Sequence, residues 1–125
     1  MSAAAPTWRT YLRTAFRWQR GRQGTGYEKM LLATASWPLR FDSYLIRYPE
    51  GSYVPPHTDP VQSGRHYRLT IVLKAPARGG EFICTRPLFE TPRIKLFRPD
   101  LCEHSVTPVE GGSRYLLSVG WVLGP

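Results

Sequence analysis

The 125-residue sequence predicts a mainly β domain with N-terminal helices, and three observations carry that reading. From Leu39 onward, runs of β-branched and aromatic residues alternate with a period of two between turns that carry proline and glycine, as half-buried strands do. Ahead of Pro38 the apolar spacing is helical instead. Hydrophobic residues at 42 % and aromatics at 13 % supply the side chains a packed core needs. The length suits one domain over residues 1–125, with a helical flank and linker over 1–37 and a β core over 39–123. The pattern reads as an antiparallel sandwich or partly closed roll.

Each element has its own justification. Between Pro6 and Arg20, Trp8, Tyr11, Leu12, Ala15, Phe16 and Trp18 fall in one arc of a helical wheel, and Arg9, Arg13, Arg17 and Arg20 in the arc beside it. Gly21, Gly24 and Gly26 break the pattern and make a linker, because glycine accepts positive φ. A short second helix is expected over Tyr27 to Thr34, ended before Pro38. Arg40 to Tyr48 reads as a strand with Tyr44, Ile46 and Tyr48 on one face. Pro49 to Ser52 is a turn, and Pro55-Pro56 holds the chain extended ahead of His57. His66 to Lys74 is a long strand with Arg68, Thr70 and Val72 on one side. Shorter strands follow at Glu81 to Thr85 and Ile94 to Phe97. The segment Leu101 to Glu110 carries His104, and Arg114 to Val122 forms another strand after the Gly111-Gly112 turn.

Composition narrows the function. Seventeen basic against nine acidic residues give a net charge of +8, a positive field that suits anionic partners, nucleic acid among them. No stretch approaches the roughly 20 apolar residues of a membrane span, and Met1 to Pro6 lack the basic and apolar regions of a leader, so a soluble cytoplasmic protein is expected. Two cysteines, Cys84 and Cys102, are too few for a disulfide scaffold.

The chemistry concentrates in three residues. In an extended segment, residues two apart share a face, so His57 and Asp59 can offer a ring nitrogen and a carboxylate oxygen to one ion while Thr58 points away. Of the other two histidines, His66 opens a strand without special setting, whereas His104 lies just ahead of a glycine turn and an arginine-bearing strand. Two imidazoles and a carboxylate on one face leave coordination positions open, as in non-haem Fe(II) oxygenases; a catalytic zinc accepts three protein ligands too. Arg114, ten residues after His104, shares a strand face with Leu116 and Ser118. A buried arginine there calls for an anion, and a dicarboxylate chelating the metal at one end and pairing with the planar guanidinium at the other meets both needs.

These residues stand in a longer ordered set: Tyr48-Pro49-Glu50-Gly51, His57-Thr58-Asp59, Arg68-Leu69-Thr70, Gly79-Gly80-Glu81-Phe82, Leu96-Phe97-Arg98-Pro99, His104 to Val109 and Gly112-Ser113-Arg114, with Trp121 beyond. The set resembles the 2-oxoglutarate/Fe(II)-dependent dioxygenase superfamily, in particular the prolyl 4-hydroxylase-type catalytic domain, over roughly the last two thirds of the chain. The resemblance implies a double-stranded β-helix, or jelly roll. It implies iron on His57, Asp59 and His104, with 2-oxoglutarate held by Arg114 and Tyr48, and Thr70 and Ser118 as further hydroxyl donors. It implies O₂ as co-substrate, ascorbate as an accessory reductant, and hydroxylation of a C–H bond with release of succinate and CO₂. Asp59 as third ligand favours hydroxylation over halogenation. The substrate it suggests is a peptidyl or free amino-acid side chain; an oxygenase or demethylase acting on nucleic acid and a non-catalytic metal-binding β-roll are the alternatives. The Pro60 to Arg65 loop is the local candidate for contacting substrate, and Trp121 is expected in the core.

Overall fold

The computed structural model describes residues 15–21 and 23–124, and among them every regular element is a strand. In chain order these are β1 (Trp18–Arg20), β2 (Glu28–Ala35), β3 (Arg40–Tyr48), β4 (Val54–His57), β5 (Arg65–Lys74) and β6 (Arg78–Gly79), followed by β7 (Phe82–Cys84), β8 (Phe89–Glu90), β9 (Ile94–Phe97), β10 (His104–Val106), β11 (Val109–Glu110) and β12 (Arg114–Leu123). Seven form one sheet in the order β1-β2-β3-β12-β5-β9-β8; a smaller sheet runs β4-β10-β7, and β11 pairs with β6. All these ladders are antiparallel.

Period-two alternation decides what faces inward. On β12, Arg114, Leu116, Ser118 and Gly120 are buried while the residues between them are half-buried on the outer face. Cross-strand register lines these up in rows: Tyr48 with Arg114; Ile46 with Leu116 and Val72; Tyr44 with Ser118 and Thr70; Asp42 with Gly120 and Arg68. The core joins the sheets. Tyr48 and Leu116 from the large sheet meet Val54, Val106 and Val109 from the smaller ladders, with Phe82 packed against them. Each such apolar side chain, fully buried, contributes about 1.5–3 kcal/mol.

Two glycines are required by close approach. A Cβ on Gly79, which sits at φ +66°, would lie 1.9 Å from the Pro108 carbonyl oxygen, so only glycine lets β6 approach β11. A Cβ on Gly120 would fall 2.1 Å from the Arg68 guanidinium, so that glycine leaves the space the arginine fills.

The N-terminal half differs from the sequence expectation. Tyr27 to Thr34 does not form a helix: Glu28–Ala35 is strand β2, paired with β3 from Glu28↔Arg47 to Ala35↔Phe41. The helix preference of Met30-Leu31-Leu32-Ala33 is worth only tenths of a kcal/mol per residue, and a full ladder outweighs it. The expected Pro6 to Arg20 helix lies mostly outside the described residues, but its end, Trp18–Arg20, is strand β1 on the edge of the same sheet. There the Arg47 guanidinium lies 4.1 Å over the Trp18 ring and 2.6 Å from Glu28. The 1–37 flank is therefore not helical where it is described, and among the described residues strands of the large sheet precede Leu39, β1 at Trp18–Arg20 and β2 at Glu28–Ala35. No helix among the described residues is long and apolar enough to cross a membrane.

Candidate metal centre

His57 ends β4 and His104 begins β10, and the two are direct register partners. Strand pairing therefore unites two residues far apart in sequence. Asp59 lies two residues past His57, its backbone N–H donating to the Pro99 carbonyl oxygen at 2.7 Å. The ligand atoms of His57, Asp59 and His104 all lie within 4.8 Å of one another. His57 Nε2 is 3.5 Å from Asp59 Oδ1, and His104 Nε2 is 3.3 Å from Oδ2. Thr58 is exposed, as period-two alternation predicts.

Both imidazoles are oriented from behind. His57 Nδ1 donates to the Pro55 carbonyl oxygen at 2.8 Å and His104 Nδ1 to that of Cys102 at 2.9 Å. A carbonyl only accepts, so each Nδ1 carries a proton and Nε2 is left for the carboxylate side. The rings lie 4.3 Å apart, and Phe97 and Phe82 pack on His104 at 5.1 and 6.1 Å. Burial alone would raise the Asp59 carboxyl, but the hydrogen bonds from His104 and His57 outweigh it and hold the group well below the usual carboxylate range. Two imidazole nitrogens and a carboxylate gathered at one point are a donor set that fits a divalent cation.

The triad opens on a cavity of about 240 Å³ also lined by Tyr44, Tyr48, Arg68, Thr70 and Ser118. Tyr48 is 6 % exposed, and its burial pushes the phenol up to about 12, so it stays protonated. Thr70 and Ser118 are buried inward-facing hydroxyls, as their strand faces predict, but Ser118 Oγ is engaged: it accepts from Arg68 Nη1 at 2.7 Å.

Arg114 is 3 % exposed, with its guanidinium 5.0 Å over the Tyr48 ring. Its Nη1 is buried without a partner, and burial pulls the guanidinium below its ordinary value. It does not line the triad cavity itself. It opens on a second cavity, of about 400 Å³, that shares Phe82 with the first and includes Lys95 and Glu90. Trp121 lies half-buried on the outer face of the large sheet, stacked on Tyr67 with ring centroids 6.1 Å apart.

Sequence reasoning missed one polar cluster. Arg68 Nη2 lies 2.7 Å from Asp42 Oδ1 and 3.2 Å from His66 Nε2, and all three side chains line the triad cavity. Alternation along β5 already placed Arg68 and Thr70 together. The signal for the rest was Asp42 on the Tyr44 face of β3 and a glycine in mid-strand at 120.

No family model matches the sequence, and no curated protein matches it either. Solved structures do. A prolyl-4-hydroxylase from Pseudomonas putida aligns over 86 % of this chain and 78 % of its own at 14 % identity, TM-score 0.66. The viral collagen prolyl hydroxylase of Paramecium bursaria Chlorella virus-1, solved with 2-oxoglutarate, aligns over 82 % and 83 % at 16 % identity, TM-score 0.58. The Rhodobacter sphaeroides SigE complex with the anti-sigma ChrR aligns at 22 % identity, TM-score 0.53, over 82 % of this chain, which spans only 48 % of that one. Cupin domains match as well. These likenesses show the fold: a cupin-like jelly roll of the kind 2-oxoglutarate oxygenases share.

Proposed function

We propose that the protein is a 2-oxoglutarate- and Fe(II)-dependent dioxygenase that hydroxylates an organic substrate, a peptidyl or free amino-acid side chain being the class its fold neighbours suggest. The observation that carries the reading is the triad: two imidazole Nε2 atoms and the Asp59 carboxylate gathered within 4.8 Å at the wall of a jelly-roll cavity. His57, Asp59 and His104 would hold the iron, which when bound supplies the oxidising chemistry that couples conversion of 2-oxoglutarate and O₂ into succinate and CO₂ to C–H hydroxylation.

The chain's own contribution is binding and orientation. The Pro55 and Cys102 carbonyls fix the two rings, so the site pays little reorganisation when the ion arrives. Phe82 and Phe97 shield the His104 side from water. Arg114, buried with Nη1 unpartnered, supplies a cation that an anionic carboxylate would neutralise, and the protonated Tyr48 hydroxyl offers a donor beside it. Thr70 presents a further hydroxyl from the cavity wall.

The test is anaerobic titration with Fe(II) and 2-oxoglutarate, followed by succinate release under O₂. Wild type should develop a visible charge-transfer band and turn over, His57→Ala should do neither, and Arg114→Met should keep iron while losing roughly tenfold to a hundredfold in 2-oxoglutarate affinity by calorimetry. A protein that binds Fe(II) yet never converts 2-oxoglutarate is not an oxygenase, and unchanged affinity in Arg114→Met removes the anchor from the scheme.

A further inference from the structure

One short turn reaches two of the three triad residues. Strand β4 ends at His57, so Asp59 lies beyond the ladder, and its N–H donates instead to the Pro99 carbonyl oxygen at 2.7 Å. His104 Nδ1 lies 2.9 Å from the Cys102 carbonyl oxygen, which sets the rotation of that ring. Pro99 and Cys102 belong to the same turn, directly after β9. The Arg98 carbonyl accepts from the N–H groups of Leu101 at 3.1 Å and Cys102 at 2.9 Å, so the backbone doubles back between 98 and 102. A shift of this turn therefore moves the partners of Asp59 and His104 together.

The turn is closed by its own side chains. Arg98 Nε lies 3.2 Å from Asp100 Oδ1 and Nη2 lies 2.5 Å from Oδ2, the two-pronged geometry in which guanidinium and carboxylate pair most strongly. The same guanidinium lies over the Tyr67 ring, 5.4 Å from its centroid, and Tyr67 stacks on Trp121, so the pair is fastened to the large sheet through β5 and β12. Pro99, between the two charged residues, is fully buried and its ring restricts φ. Burial separates this pair from an ordinary surface bridge: the Asp100 side chain is 6 % exposed, against 44 % for Glu90 in its bridge to Lys95. An exposed pair contributes little, whereas a buried carboxylate that loses its cation must rearrange or take a proton, and the turn moves with it.

We propose that Arg98 and Asp100 are positioning residues of the metal centre. Their ion pair holds the turn in the shape that presents the Pro99 carbonyl to Asp59 and the Cys102 carbonyl to His104, so one contact outside the triad sets how tightly the triad takes a divalent cation. Neither residue lines the triad cavity, and their effect is exerted through the turn. The inference rests on the triad being a metal site and is independent of the reaction the metal serves.

Co(II) is the probe, because its visible bands report both occupancy and ligand geometry. Asp100→Asn, which keeps the shape and removes the charge, should shift those bands and weaken Co(II) binding about tenfold to a hundredfold, the usual cost of losing a partner behind a metal ligand. In the metal-free protein it should speed hydrogen exchange of the Asp59 amide about tenfold while amides in the middle of β12 keep their rates. Arg98→Lys keeps the charge without the fork and should lose roughly threefold to tenfold in affinity. The double variant should bind no more weakly than Asp100→Asn alone, because both changes break one contact. Glu28→Gln breaks the pair with Arg47 on β2 and β3, and should lower the unfolding temperature while leaving Co(II) affinity and Asp59 exchange unchanged. Wild-type affinity or Asp59 exchange in Asp100→Asn, or in Arg98→Lys where the first variant does not fold, overturns the proposal, as do losses that add in the double variant or an equal loss in Glu28→Gln. A wild-type protein that takes up no Co(II) removes the metal centre itself, and that outcome alone also reaches the function proposed above.

Discussion

Asp59 stays charged and His66 stays neutral on the wall of one cavity, because the carboxylate faces two imidazoles whereas the imidazole is buried and then faces a guanidinium. This makes stability depend on pH with a definite sign. An unfolded histidine takes its proton near 6.5, whereas folded His66 resists to about 4; between these values the unfolded chain binds more protons, so stability rises with pH across the window and is lost as pH falls through it. His66→Phe should flatten that part of the profile, measured as urea midpoints at neutral pH and midway through the window; an undiminished slope would assign it to other groups. His57 and Asp59 were legible in the sequence because a two-residue spacing in extended chain fixes a common face. His104 was legible because few histidines compete with it. The Asp42–Arg68–His66 cluster was not, since it depends on Asp42 from another strand, and cross-strand register is not written in local sequence.

The strands show where local pattern suffices and where it fails. Strand β3 spans Arg40–Tyr48 and β9 spans Ile94–Phe97 as expected, because aromatic and β-branched alternation bounded by proline admits little else. For β2, the run Glu28–Ala35 carries residues that suit a helix as well as a strand, and only the partners on both sides decide. Turns depend on the same long-range fit. Gly79→Ala would bring a methyl against the Pro108 carbonyl at a positive φ, which costs about 1–3 kcal/mol in backbone strain alone. Thermal unfolding should show that loss as a lowered midpoint. A variant as stable as wild type would mean that β6 and β11 separate without cost.

At the scale of the whole molecule, the jelly roll was legible through a β-rich chain and the family its ordered motifs resemble, and its connectivity was not. Antiparallel pairing between residues tens of positions apart has no signature in composition or period. That connectivity matters most for β12, which follows every other strand in the chain yet lies at the middle of the large sheet, between β3 and β5. Its insertion brings Ser118 to Arg68 and Arg114 to Tyr48. During synthesis from the N-terminus, β3 and β5 therefore emerge with a missing neighbour, and their facing edges stay unpaired until Arg114–Leu123 has left the ribosome. Such non-local closure is slow and leaves open strand edges exposed to other chains. The inner wall of the cavity that β12 provides is therefore completed only once that strand has been made.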